Sequence, residues 1–380
     1  MAKISLPILL FFLLFVFSFF FSSRFISFSS TQTKDTSLSQ PIITNQDPPN
    51  ISDTLSPQRK FCQQFEPLFK QINVDFQLVE QNRPKSLLGK IEPWNLEEAS
   101  RSSICASYCL RLKIKNNKLE VVFDRKGYET RNPSVIKIIN DTVERFEIPD
   151  VEFLVITEDR IYSDSNFPYF LFSRIPKQFG ILYPDFTFNH WKETRIDEWE
   201  TMQKQLQDSR NNKPFEKRIP QAFWRGALTN IHREELIKLS NQYPDQIDAK
   251  FMEWYNPTTP HVSIPDHCKY KYLVHTEGRS YSARLKYLMS CGSVVFYPEV
   301  TFIEYWYHLI QPWIHVVPVE PNFSDLIEKM KQIEKNPSLE SEIRRNSYEL
   351  IEKYLTIDGV HCYWAELLHR FSQLEIITGE

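Results

Sequence analysis

CKYKYLVHTEGRSYSARLKYLMSCGSVVF, residues 268–296, decides the architecture. The stretch from Cys268 to Glu277, with its aromatic and apolar residues, reads as a strand. A loop follows that opens on Gly278, and Leu285, Leu288 and Met289 then recur at helical spacing. Ser280 or Ser282 would cap that helix at its start, and Gly292 would stop it in the left-handed conformation. Residues 293–297 form the next strand. The loop offers Arg279, the Ser280 and Ser282 hydroxyls, free backbone N–H groups and Arg284. Cationic forks, hydroxyl donors and a helix start are what a nucleotide diphosphate requires.

Upstream, residues 219–240 repeat the strand, glycine turn and helix order. The apolar run ending at Trp224 leads into Arg225 and Gly226, and a helix is expected over Thr229 to Ser240. Arg233 falls in its first turn, where a cation opposes the helix dipole unless an anion is bound nearby. The same argument applies less tightly to Arg225. Leu119 to Phe123 reads as a strand, and Ser134 to Phe146 as a helix turning Ile136, Ile139 and Val143 inward. Val151 to Ile156 is almost continuously apolar, as in a strand buried on both faces. It runs into Thr157, Glu158, Asp159 and Arg160. Ligands in open α/β sheets bind beyond the carboxyl ends of strands, so Glu158 and Asp159 are functional candidates, with a turn or helix cap as the alternative. Residues 192–218, charged and rich in Gln and Asn, read as an exposed helix and crossing segment between two α/β halves.

The chain has 380 residues, 42% hydrophobic, with 45 Lys and Arg against 48 Asp and Glu. That length allows two or three domains, and the composition excludes a disordered chain. A net charge of −3 excludes a strong overall cationic field, so no nucleic-acid partner is expected. No Walker A, dinucleotide-binding or kinase motif occurs, which withdraws the usual support for ATPase and hydride-transfer functions.

Residues 1–24 contain an uncharged stretch from Ile4 to Ser23. Twenty helical residues rise about 30 Å, enough to cross a hydrocarbon core. The stretch reads as an uncleaved signal anchor, with a cleaved signal peptide as the alternative. Residues 25–59 are rich in Ser, Thr, Gln and Pro and read as a flexible stem. Anchor, stem and body form a type II membrane layout with the body in the Golgi or endoplasmic reticulum lumen, or secreted after cleavage. Sequons at Asn50, Asn140 and Asn322 are compatible with that. In an oxidising lumen the 6 cysteines make three disulfides, among 15 possible pairings. Zinc binding is the lesser alternative, because the thiols and imidazoles are not clustered. Trp306, Trp313, Trp364, His275 and His315 read as structural residues.

Several ordered blocks together resemble a known family. They are FWRG at 223–226, HCKYKYL at 267–273, RLKYL at 284–288 with CGS at 291–293, PWIH at 312–315 with Pro318 and Val319, and CYW at 362–364. This pattern is similar to the capsule-associated and protein O-glucosyltransferase family, the Rumi-like or KDEL-motif-containing glycosyltransferases of family 90. The resemblance covers about residues 60–372. It implies a GT-B-like α/β fold of two Rossmann-like domains facing across a cleft, an acceptor-side domain at 60–200 and a UDP-sugar domain at 201–372, with the terminal helix able to pack back on the first.

The resemblance also implies transfer of glucose or xylose from a UDP-sugar to a hydroxyl of a protein or glycan, with inversion and no metal. Asp159 would be the general base. Arg233 and Arg284 would stabilise the departing diphosphate, and Arg279, Ser280 and Ser282 would hold the nucleotide. The pairings implied are Cys268–Cys291, Cys105–Cys109 and Cys62–Cys362. Ala227 stands where the family's protein O-glucosyltransferase has a serine, and the chain ends without a KDEL-like signal. A lumenal relative that kept the fold without catalysis is the alternative function. The Asp159, Arg233 and Arg284 set argues against it, because a scaffold needs no carboxylate opposite a diphosphate site.

Overall fold

The computed structural model describes residues 57–125, 127–161, 165–253 and 261–379. The anchor expected at 1–24 and most of the expected stem lie outside the described residues. No helix among the described residues is long and apolar enough to cross a membrane. The stem boundary shifts slightly: a first helix, α1, already runs over Pro57–Cys62. It leads into α2, Glu66–Gln81, and α3, Leu96–Ser100.

The first sheet has five strands: β1 Cys109–Lys115, β2 Lys118–Asp124, β3 Val151–Ile156, β4 Phe170–Leu171 and β5 Ile181–Leu182. Their order is β2-β1-β3-β4-β5. This sheet is mixed, where the resemblance implied a Rossmann-like one. β1 is antiparallel to both β2 and β3, whereas β3, β4 and β5 are parallel. The reason is local. Asn116 and Asn117, the two-residue link from β1 to β2, have φ of 51° and 55°, the left-handed pair that closes a tight hairpin. β3 occupies the span read from the sequence, and its interior position explains its buried, nearly all-apolar run.

Helix α4, Arg131–Arg145, crosses from β2 to β3 and begins earlier than its apolar pattern indicated. Helix α5, Trp199–Asn212, links the two sheets. It is not simply exposed: Trp199, Met202 and Leu206 are buried, and Trp199 packs edge-on to Tyr287 with ring centroids 5.1 Å apart.

The second sheet comprises β6 Ile219–Gly226, β7 Ile247–Phe251, β8 Tyr270–Val274, β9 Val294–Pro298 and β10 Val317–Val319. All its pairings are parallel, in the order β10-β9-β8-β6-β7. This is a doubly wound order whose direction reverses between β6 and β8, the place where such sheets bind ligands. Alternate residues face opposite sides. Phe223, Leu273 and Val295 join a core continuous with the first sheet. Ala222, Trp224, Tyr272 and Phe296 pack on the other side with Leu236 of α6 (Ile231–Gln242), Met330 of α9 (Leu326–Glu334) and Ile343 of α10 (Pro337–Tyr354). Two short helices, α7 Ile264–His267 and α8 Leu285–Ser290, flank β8.

The last helix, α11 Ile357–Phe371, packs on the first sheet. Phe371 meets Phe170 at 4.9 Å between ring centroids, and Trp364 meets Tyr183 at 5.1 Å. Beyond it, Ile376 and Ile377 pair in parallel with Trp94 and Asn95. The cysteines are bridged as Cys62–Cys362, Cys105–Cys109 and Cys268–Cys291. Trp306 and Trp364 are fully buried. Trp313 is only partly buried, beneath Lys329.

Candidate active site

At the reversal between β6 and β8, the chain leaving each strand turns toward the other. Asn230 caps α6, its side chain accepting from the His232 N–H at 3.0 Å. That places Arg233 in the first turn, pointing back across the strand ends. Its Nε donates to Thr276 Oγ1 at 3.1 Å and to the Glu277 carbonyl at 2.7 Å. Nη1 donates to the Ala227 carbonyl and Thr229 Oγ1, each at 2.8 Å. Nη2 keeps one long contact, 3.5 Å to the Thr276 carbonyl. Gly278 allows this approach: a Cβ there would stand 3.2 Å from Arg233 Nη2.

Arg284 enters from the other side. Its Nε donates to Ser282 Oγ at 3.3 Å, and Nη1 donates to the Arg225 carbonyl. Both guanidinium carbons lie over the Trp224 ring, Arg233 at 5.7 Å and Arg284 at 5.5 Å from its centroid. Arg225 is already neutralised by Asp248, its Nη2 donating to both carboxylate oxygens at 2.9 and 2.8 Å. Among the described residues, neither Arg233 nor Arg284 has such a carboxylate partner. Burial, reinforced by the charge of Arg284, holds Arg233 well below the usual arginine range, and burial alone lowers Arg284 to about 10. Buried, unpaired charges are costly to a folded chain. Two of them converging at a strand reversal make a site prepared for an anion.

The opposite wall belongs to the first sheet. Beyond the end of β3, Asp159 forms an ion pair with Arg131 at 2.8 Å. Tyr128, Phe186 and Trp191 line the same cavity as this carboxylate, a space of 330 Å³ between the two walls. Asp159, Arg233, Arg279, Ser282 and Arg284 all line it. Ser280 does not: it is buried, and its hydroxyl has no partner among the described residues. The helical start expected here also differs. α8 begins only at Leu285, with Arg284 in the cap position and no side-chain cap. The preceding loop folds inward so that Ser282 serves Arg284. An anion in this cavity would therefore meet the guanidiniums and the start of α6, not the start of α8.

Sequence reasoning missed Arg131, Tyr128, Trp191 and His267, which also line the cavity. Arg131 gave no signal, because the apolar pattern starts the helix at Ser134 and leaves this cation outside its first turn. His267 donates from Nδ1 to the Ser263 carbonyl at 2.9 Å, and burial lowers it to about 4, so it is neutral. His275, stacked on Tyr297 outside the cavity, is held at about 3 by burial and the two arginines. Among the described residues, no group of three His, Cys, Asp or Glu is placed to hold a metal ion.

The model of glycosyl transferase family 90 matches residues 90–378, most of the folded body. The chain belongs to this family. Among related proteins, rat protein O-glucosyltransferase 1 is 30% identical over 269 residues, covering 65% of this chain and 68% of the relative. The O-glucosyltransferase rumi of Drosophila melanogaster is 30% identical over 251 residues, covering 60% and 61%. The human protein O-glucosyltransferase 1 is 30% identical over 249 residues, covering 60% and 63%. Among solved structures, HepE from Anabaena in complex with UDP-glucose is 15% identical, at a TM-score of 0.30 over 44% of this chain and 45% of that one. A likeness that low contributes nothing to the assignment. Family membership makes this protein a glycosyltransferase.

Proposed function

We propose that this member of family 90 is an inverting O-glycosyltransferase that moves glucose, or its relative xylose, from a UDP-sugar to a hydroxyl of a protein or glycan. One observation carries the reading: two buried guanidiniums, without carboxylate partners among the described residues, line a cavity whose other wall presents Asp159. The names of the relatives support glucose as the sugar and a protein as the acceptor. The doubly wound second sheet, with its site at the strand reversal, supports a GT-B arrangement of the two halves.

In this reading the diphosphate lies between Arg233 and Arg284, near Arg279 and the Ser282 hydroxyl. The acceptor oxygen attacks the anomeric carbon from the Asp159 side, and its proton passes to the carboxylate. The new C–O bond forms as the bond from the anomeric carbon to the diphosphate oxygen breaks. The leaving electron pair stays with UDP, where the two arginines meet the growing charge. Fixed cations directed at developing charge are often the largest part of catalysis. Attack opposite the leaving group inverts the anomeric centre. The three disulfides and the apolar N-terminal stretch support a lumenal body held at a Golgi or endoplasmic reticulum membrane.

The test is Asp159→Asn. Transfer should be lost while UDP still binds, measured by product formation and by calorimetry on the same preparation. Unchanged transfer would remove Asp159 from the role of base. A panel of UDP-sugars then identifies the donor, because glucose and xylose differ by one hydroxymethyl group whose discrimination rests on a few pocket contacts.

A further inference from the structure

We propose that Arg131 is the positioning residue of the base, fixing the Asp159 carboxylate by Oδ1 so that Oδ2 is the atom that takes the acceptor proton. The inference rests on Asp159 being the base. Arg131 opens α4, where a cation opposes the helix dipole. It is buried, with only 8% of its surface exposed. Such a placement needs a reason, and its contacts supply one. Nη2 meets Asp159 Oδ1 at 2.8 Å, and Nη1 donates to the Thr157 carbonyl at 2.9 Å. The guanidinium carbon lies 4.2 Å from the centroid of Tyr128 and 5.2 Å from that of Phe186, two rings that line the cavity.

The neighbouring Asn132 completes the clamp. Its Oδ1 accepts from Thr157 Oγ1 at 2.6 Å, and its Nδ2 donates to Asp124 Oδ1 at 2.6 Å. The first turn of α4 therefore grips both ends of the tripeptide that leaves β3. Ser173 holds the far side, its hydroxyl donating to the Asp159 carbonyl at 3.0 Å. With backbone and Oδ1 both held, Asp159 has one carboxylate oxygen, Oδ2, without a hydrogen-bond partner among the described residues. A carboxylate restrained in this way presents one basic lone pair in a fixed direction, the condition for proton transfer in step with attack. An arginine that only anchored α4 to β3 would need the Thr157 contact alone.

The test uses Arg131→Met and Arg131→Lys in the full chain. Methionine should lower kcat by about 100-fold, the scale of misplacing a reacting group by about 1 Å, with UDP affinity and donor KM unchanged. Lysine, able to reach Asp159 from the same stem, should recover at least about tenfold of that loss. In an Asp159→Asn background, Arg131→Met should cost nothing further, because residues acting as a unit are not additive. The proposal is overturned if Arg131→Met leaves kcat within about threefold, or if lysine recovers nothing while UDP affinity and Tm fall together. These outcomes are separable from failure of the base reading, which shows as transfer retained by Asp159→Asn alone.

Discussion

Tyr281 donates its phenol hydroxyl to Asp185 Oδ2 at 2.9 Å, and this bond joins the loop before α8 to the segment leaving the first sheet. Tyr281 lines the cavity; Asp185 is fully buried. Lys286 Nζ stands 3.3 Å from Asp185 Oδ1 and also donates to Thr187 Oγ1, while Tyr287 donates to the Thr187 carbonyl at 3.2 Å. The halves that the sequence presents as two domains are thus bolted together by a buried polar cluster beside the site.

Lys286→Met should destabilise the protein by about 3–5 kcal/mol, because it leaves Asp185 as an uncompensated buried charge. Adding Asp185→Asn should recover part of the loss. Urea unfolding of the three variants against wild type measures both effects, and equal midpoints would show that the pair carries no stability.

Glu304 gives the same region a pH dependence. Burial, then repulsion from Asp185, pushes its carboxyl from 4.5 up to about 8, against the attraction of Lys286. Between those values the folded state keeps a proton that the unfolded chain releases. The resulting stability is full below pH 4.5 and is lost as pH rises through about 8. Glu304→Gln cannot titrate, so its Tm should fall less than that of wild type between about pH 5 and pH 8. Parallel Tm curves would contradict the shift.

The two unpaired arginines predict a conflict between stability and binding. Arg284→Met removes a buried charge while keeping much of the volume, a change often neutral or stabilising in the free protein. It should also weaken UDP binding by about 10- to 100-fold, the worth of one or two charge-assisted hydrogen bonds. Thermal shift with and without UDP reads both: a Tm at or above wild type alone, and a smaller rise with UDP. Undiminished affinity would move the diphosphate elsewhere.

The bridge between Cys62 and Cys362 spans a sequence separation of 300. Closing so long a loop restrains the unfolded chain most, and replacing both cysteines by serine should cost up to about 5 kcal/mol. Denaturant midpoints measure the loss, and peptide mapping without reductant checks the pairing. Mixed pairings in the wild-type protein would refute it.

Much of the second sheet was legible in the sequence because its signals are local. The strand, glycine and helix orders around Gly226 and Gly278 need only neighbouring residues, and Gly292 adopts the expected left-handed conformation with φ of 62°. Arg233 stood out because a cation in the first turn of a helix is unfavourable by itself. Local pattern also misled. Ser280 and Ser282 look like helix caps, yet the loop spends Ser282 on Arg284 and buries Ser280, a choice made by contacts from β6.

The sequence by itself determined the alternation of strands and helices, the position of β3 before Asp159, and the stock of cations near the glycine turns. Those follow from periodicity, backbone freedom and dipole arguments that act over a few residues. Only the tertiary structure decided that Arg225 is neutralised by Asp248, whereas Arg233 and Arg284 have no carboxylate partner among the described residues, and that Arg131 grips Asp159. Ion pairing depends on distances of a few ångströms between residues remote in the chain, and β-sheet order, which sets those distances, is not written in any local pattern.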